Sequence, residues 1–141
     1  MKQCLFCAIG AGVEPSAMVY ADAKVVAFLD VRPLFKGHVL VAPRSHVPTL
    51  VELPADLLGP VVGLAQCLAA AMVSALGAQG SFVAINNTVS QSVPHLHIHV
   101  VPRTKGDGLR GFFWPRHTYQ DGEMSQYAQR LAAALQASGV G

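Results

Sequence analysis

The chain is short of charge. Asp, Glu, Lys and Arg make up only 13% of its 141 residues, and ten basic side chains against eight acidic ones leave a formal charge of +2. So small and scattered a surplus argues against a broad nucleic-acid-binding surface, while leaving room for a small anionic ligand. Cysteine is scarce too: there are three, two of them spaced C-x-x-C. That is too few for a disulfide framework and suits a reducing compartment better. Although 52% of the residues are hydrophobic and mean hydropathy is +0.39, no apolar run reaches the roughly 18 residues of a membrane helix. The richest segment is interrupted by Gly59, Pro60, Gly63 and Gln66. The apolar part of MKQCLFCAIG is too short for a secretory signal. A cytoplasmic chain with neither membrane nor nucleic acid as partner is therefore expected, and a second subunit is a natural cover for the surplus apolar surface.

What the chain does have is histidine in one place. Half of its six histidines fall in His95-Leu96-His97-Ile98-His99. Strand side chains alternate between faces, so this spacing puts three imidazoles on one face and Leu96, Ile98 and Val100 on the other. A fixed row of groups that titrate near neutrality suits proton transfer, nucleophilic attack or metal binding.

Around this row the pattern reads as one compact domain over residues 1–141. Residues 1–12 contain a cysteine knuckle running into a turn. Ala17 to Tyr20 and Val25 to Leu29 form a hairpin about Asp22-Ala23, and His38 to Ala42 is an apolar strand that Pro43 ends. Apolar residues recur at helical steps between Leu50 and Ala78, with Pro54 suited to a first turn, Pro60 awkward inside, and Gly77 and Gly80 closing the run. Ser81 to Ile85 and Leu96 to Val101 are strands, residues 104–122 a long loop, and residues 123–138 a C-terminal amphipathic helix. The class is α+β, a sheet with helices on one side, with Cys67 in the helical pattern as a core residue.

The run His95 to Val101 resembles the signature of the histidine triad (HIT) superfamily of nucleotide hydrolases and transferases, H-φ-H-φ-H-φ-φ with φ apolar. The resemblance extends to CLFC, FLDVRPLFKGHVLVAPRSH and QSV, and so covers most of residues 4 to 103; the N-terminal C-x-x-C is that of bacterial-type members. It implies a mainly antiparallel five-stranded sheet with one long and one C-terminal helix, the sheet extended across a homodimer. It also implies cleavage at the α-phosphate of a purine nucleoside 5′-phosphate derivative, such as a phosphoramidate or dinucleoside polyphosphate.

Residue by residue, the resemblance gives His97 the role of nucleophile, forming a nucleotidyl-histidine intermediate, and this agrees with the chemistry of a neutral imidazole on a rigid strand. His99 is given phosphate contact and, when protonated, leaving-group acid. His38 corresponds to a fourth histidine that orients the triad, Asp30 to the ribose-binding acid, and Gln91 with Ser92 to the phosphate-contacting element. Asn86 resembles the asparagine ending the preceding strand. The loop NNTVSQ is shorter than that of many members and lacks their glycine, which leaves the choice between Asn86 and Asn87 open. Phe6, Ile9, Phe28 and Leu29 can wall a base slot or serve as core.

C-x-x-C spacing lets Cys4 and Cys7 place two thiolates on one Zn²⁺, and a closed structural site needs two more ligands. In the resemblance these are His46 and His95, giving a structural Cys₂His₂ zinc site. Two other functions compete with the enzyme reading: a nucleotide-binding or interaction protein that turns over slowly, and a hydrolase using the HxH pair to hold a catalytic zinc-hydroxide. Lys105, Arg110, Phe112, Phe113, Trp114 and Arg116 of the C-terminal loop could contact a leaving group or base, and carry no catalytic assignment.

Overall fold

The computed structural model describes residues 4–110 and 116–139. They fall into two compact units, one ending at Asp107 and the other starting at Gly108. Phe112, Phe113 and Trp114 lie outside the described residues.

The first unit is built on a five-stranded antiparallel sheet. Its strands are β1 (Met18–Ala21), β2 (Val25–Leu29), β3 (Val39–Pro43), β4 (Gly80–Ile85) and β5 (Ile98–Arg103), in the spatial order β1-β2-β3-β5-β4. The expected hairpin is β1–β2. Its turn is held by Asp22, whose Oδ1 accepts the amides of Lys24 at 2.7 Å and Val25 at 2.9 Å, which is why a short polar residue stands there.

Strand alternation sorts the core into two clusters, one on each side of the sheet. Val25, Ala27, Val39, Val41, Ile98 and Val100 pack with α2 (Ala55–Ser74), joined by Leu96. Val26, Phe28, Leu40 and Ala42 pack instead with Phe6 and Ile9 of α1 (Leu5–Gly10). Helices therefore lie on both faces, where one was expected. The expected cysteine knuckle is itself a helix, one whose six residues carry too little periodicity to register in the sequence.

The long helical pattern divides. Leu50–Glu52 is a separate 3-10 turn, capped reciprocally by Thr49 and Glu52, and α2 starts only at Ala55, after Pro54. Pro60 sits inside α2 without ending it. Ala78 N–H reaches Met72 O at 3.1 Å, and Gly77 N–H reaches Val73 O at 3.2 Å with φ +71°, a glycine-closed end of the kind the sequence indicated. By length and composition α2 could cross a membrane, its interruptions notwithstanding. Here one side, Leu57, Val61, Ala65, Leu68 and Met72, is buried against the sheet. Each of the four larger side chains, Leu57, Val61, Leu68 and Met72, contributes about 1.5–3 kcal/mol of burial. Cys67, expected in the core, is exposed on α2, because its position falls off that buried stripe.

The second unit contains α3 (Glu123–Ala137), which matches the expected C-terminal helix; its apolar residues Met124, Tyr127, Leu131 and Leu135 are exposed.

Candidate active site and metal centre

The triad strand begins later than its sequence pattern. His95, Leu96 and His97 precede β5, the first two tied down by Leu96 N–H to Val47 O at 2.6 Å and His95 N–H to Val93 O at 2.8 Å. The alternation nevertheless survives. Leu96, Ile98 and Val100 enter the α2-side cluster. His95 and His97 meet Phe6 of α1, with ring centroids 5.9 and 4.8 Å away.

The hydrogen-bond partners fix which nitrogen of each imidazole carries the proton. His97 Nδ1–H donates to its neighbour's carbonyl, His95 O, at 2.8 Å. Its Nε2 therefore keeps the lone pair, as a nucleophile requires. The ring is only 3% exposed, yet it lines a cleft of about 450 Å³. His38 Nδ1 accepts the Leu34 amide at 3.1 Å, so its proton is on Nε2, and that proton is donated to His99 Nδ1 at 2.9 Å. His99 is then left with its own proton on Nε2. Burial, reinforced by the neighbouring His97 and His38, pushes His99 down to about 4 against Asp30, which pulls the other way. His38 is lowered as well, chiefly by burial, again opposed by Asp30. In the free cleft both rings are neutral at physiological pH.

Asp30 divides its carboxylate. Oδ1 caps a turn by accepting Arg32 N–H at 2.9 Å, while Oδ2 stands 3.8 Å from His38 Nε2. The cleft wall combines Asp30, Ser92, His97 and His99 with apolar Leu5, Phe6, Ile9, Phe28, Leu29 and Val93. Glu14, Ser16 and Arg32 line it as well, so polar groups are set among apolar walls, the usual build of a small-molecule site.

Other expected contacts are placed differently. Gln91 spends its amide within the protein: Oε1 accepts Thr88 N–H at 2.9 Å and Nε2 donates to Pro48 O at 2.6 Å. This brace holds a loop in which Thr88 and Ser90 have φ of +69° and +61°. Asn86 and Asn87 are both exposed; Asn87 Oδ1 accepts Leu50 N–H at 2.9 Å, and Asn87 lines a separate groove between α2 and β4. The sequence reading had no way to single out the Leu34 amide, since any residue supplies one.

The four expected metal ligands do meet. The donor atoms of Cys4, Cys7, His46 and His95 all lie within 4.8 Å of one another. His95 Nδ1 is 3.4 Å from both thiol sulfurs, and His46 Nδ1 is 3.4 Å from that of Cys7. A tetrahedral zinc with Zn–S of about 2.3 Å and Zn–N of about 2.0 Å sets sulfur and nitrogen about 3.5 Å apart. The fit is close. His95 donates Nε2–H to Pro43 O at 2.8 Å, which turns the lone pair of Nδ1 toward the sulfurs and supplies the outer hydrogen bond that metal-bound histidines keep. Burial holds His95 below its ordinary value, in the neutral form a ligand needs. Burial and the adjacent Cys4 raise the Cys7 thiol, a cost that a bound cation reverses.

Asp30, His38 and His99 form a second group of possible ligands. A metal there would need the Nε2 lone pair of His38, and the Leu34 amide has already put the proton on that atom. The Leu34 amide, His38 and His99 form a hydrogen-bond chain, with Asp30 Oδ2 beside it at 3.8 Å.

Residues 11–106 match the family model for the HIT domain, more than half the chain. The chain belongs to the HIT domain family. Among HIT relatives, protein hit of Bacillus subtilis is 35% identical over 142 residues, covering 97% of each chain. An adenylylsulfatase of Arabidopsis thaliana is 34% identical over 110 residues, 77% of this chain and 56% of its own. An adenosine 5′-monophosphoramidase of Schizosaccharomyces pombe is 28% identical over 134 residues, 94% of this chain and 98% of its own. The crystal structure of a HIT family member from Bacillus subtilis superposes with a TM-score of 0.84 at 34% identity, covering 94% and 96% of the two chains. A zinc-bound histidine triad protein of Mycobacterium smegmatis superposes with a TM-score of 0.72 at 33% identity, covering 96% of each. At the level of the family, nucleotide hydrolases are represented; the HIT fold of this chain, its antiparallel sheet included, is shared with both structures.

Proposed function

We propose that this HIT protein is a nucleotide hydrolase or nucleotidyl transferase acting on a purine nucleoside 5′-phosphate derivative at the α-phosphorus. The observation that carries the reading is the His97 ring: its Nδ1–H is committed to His95 O, and its remaining nitrogen belongs to a ring lining the cleft beside Asp30 and His99.

The base lies between Phe6, Ile9 and Phe28, and the ribose hydroxyls bind Asp30 Oδ2, the oxygen that does not cap the turn. His97 Nε2 attacks phosphorus, forming the P–N bond as the bond to the leaving group breaks. Water then displaces His97 from the nucleotidyl-histidine and yields the nucleoside monophosphate. His99 Nε2–H hydrogen-bonds a phosphoryl oxygen or the departing atom. It begins as a neutral donor, and the negative charge of the bound phosphate lifts it from about 4 toward the range in which it acts as acid. His38 and the Leu34 amide hold it in that orientation, and Ser92 adds a hydroxyl to the phosphate end. The phosphoramidase and adenylylsulfatase names among the relatives support this substrate class.

Cys4, Cys7, His46 and His95 hold a structural zinc. With four protein ligands no position remains for water, so the ion's contribution is to pin α1 to the triad segment. The working unit is a homodimer. β4 stands at one end of the strand order, and exposed Val62 and Val83 flank the groove between α2 and β4, an apolar face suited to a second copy.

The test is a panel of adenylated substrates, phosphoramidate, dinucleoside polyphosphate and adenylyl sulfate, with AMP binding measured in parallel. Turnover of at least one, abolished by His97→Ala, is expected. AMP binding with no turnover by the wild-type chain would overturn the enzyme reading in favour of a binding protein.

A further inference from the structure

We infer that the Cys4–Cys7 pair is a peroxide-sensitive latch on the nucleotide cleft, its oxidation to a disulfide releasing the metal and loosening the wall that faces the base and His97. The inference rests on the nucleotide and zinc readings above.

The two cysteines bracket cleft residues. Leu5 and Phe6 lie between them in sequence and both line the cleft, as does Ile9 one turn later. Phe6 meets the His97 ring edge-on, at 4.8 Å between centroids with the planes at 89°, and Phe28 at 5.2 Å. One helix of six residues therefore supplies three walls of the cleft and one direct contact to the nucleophile.

The ends of that helix are held in different ways. Its C-terminal end is fixed by protein groups: Arg44 Nη1 donates to Gly10 O at 2.8 Å, and the amides of Val13 and Glu14 reach Ala8 O at 2.9 and 3.1 Å. At the N-terminal end Cys4 makes no side-chain capping bond, and its sulfur points into the ligand cluster with His95. A helix this short does not persist without tertiary anchors: Phe6 and Ile9 supply the apolar ones, and the ligand cluster is the polar anchor of its N-terminal end. His95 supplies a second link, because its ring is a ligand while its carbonyl accepts the His97 Nδ1–H.

Both cysteines are half-buried, within reach of a small oxidant. A peroxide oxygen takes an electron pair from one thiolate, giving sulfenic acid and hydroxide. The second thiolate attacks that sulfur, forms the S–S bond and expels a second hydroxide, and two protons complete two waters. The pair loses two electrons and the peroxide O–O bond gains them. A disulfide no longer offers two thiolates, so only His46 and His95 remain to the zinc, and the ion leaves.

The test uses the full chain carrying Cys67→Ser, which removes the exposed third thiol from α2. The zinc-loaded protein is titrated with hydrogen peroxide while released zinc is read with a chromogenic chelator, product mass by intact-protein spectrometry, AMP affinity by calorimetry and fold by circular dichroism. Expected are a product two hydrogens lighter, zinc freed in step with it, AMP affinity weakened about 10-fold or more, an unchanged helical signal, and recovery with dithiothreitol and zinc. Retention of zinc by the oxidised chain, unchanged AMP affinity after zinc has left, or global unfolding on its release would each overturn the latch. Failure of the untreated protein to hold zinc or to bind AMP would overturn the underlying readings and the latch with them.

Discussion

His38 Nε2 stands 2.9 Å from His99 Nδ1, and the bond has a direction, because the Leu34 amide occupies the other nitrogen of His38. His38 is thus a positioning residue that sets the tautomer of His99. Replacing it by Phe keeps the volume and removes the donor. Activity on adenosine 5′-phosphoramidate is expected to fall about 10- to 100-fold, the usual cost of losing such a support. The accompanying nitrogen-15 histidine spectrum should show His99 as a mixture of tautomers. An unchanged spectrum would contradict the assignment.

Acid should destabilise the protein through the same pair. Burial is the main reason that both His38 and His99 sit below the ordinary 6.5, His99 at about 4. Below pH 6.5 the unfolded chain therefore binds more protons than the folded one, so this stability is fully present above 6.5 and is lost as pH falls toward 4. Thermal midpoints should decline across that window, and less steeply in His99→Asn. A midpoint that rises on acidification would contradict the sign.

How much of this was legible beforehand depends on what each residue's role requires. The triad, the C-x-x-C pair and the glycine-closed end of α2 announce themselves, since each demands particular residue types at fixed spacing. The knuckle as a helix on the opposite face did not, because six residues show no period. Gln91 as a loop brace also escaped notice: an amide side chain looks the same whether it faces a phosphate or the Pro48 carbonyl. Cys67 was misread because a residue type favoured in cores fell one step outside the buried stripe of α2.

Removing the metal should lower stability as well as loosen the cleft. A ligand present at 100 times its dissociation constant contributes about 2.7 kcal/mol. For a chain of this size that corresponds to about 10 °C in thermal midpoint. Scans with and without a strong chelator check this, and Cys7→Ser, which removes one of the four ligands, should resemble the chelated protein. Equal midpoints would argue against a structural zinc.

The apolar groove between α2 and β4 bears on assembly. Val83 is exposed on β4, the last strand in the sheet order. Val83→Asp would set a charge on that face, where in a homodimer it would be desolvated without a partner. Light scattering after size exclusion should report a wild-type dimer and a variant monomer; a monomeric wild type would refute the dimer.

The nucleophile itself admits the most direct measurement. Wild-type protein mixed with an adenylated substrate and quenched within one turnover should carry an added adenylyl group on the tryptic peptide containing His97. The His97→Ala variant should carry none and lose activity by about 10⁴-fold or more. An adduct on another residue, or a His97→Ala variant that turns over at the wild-type rate, would contradict the account.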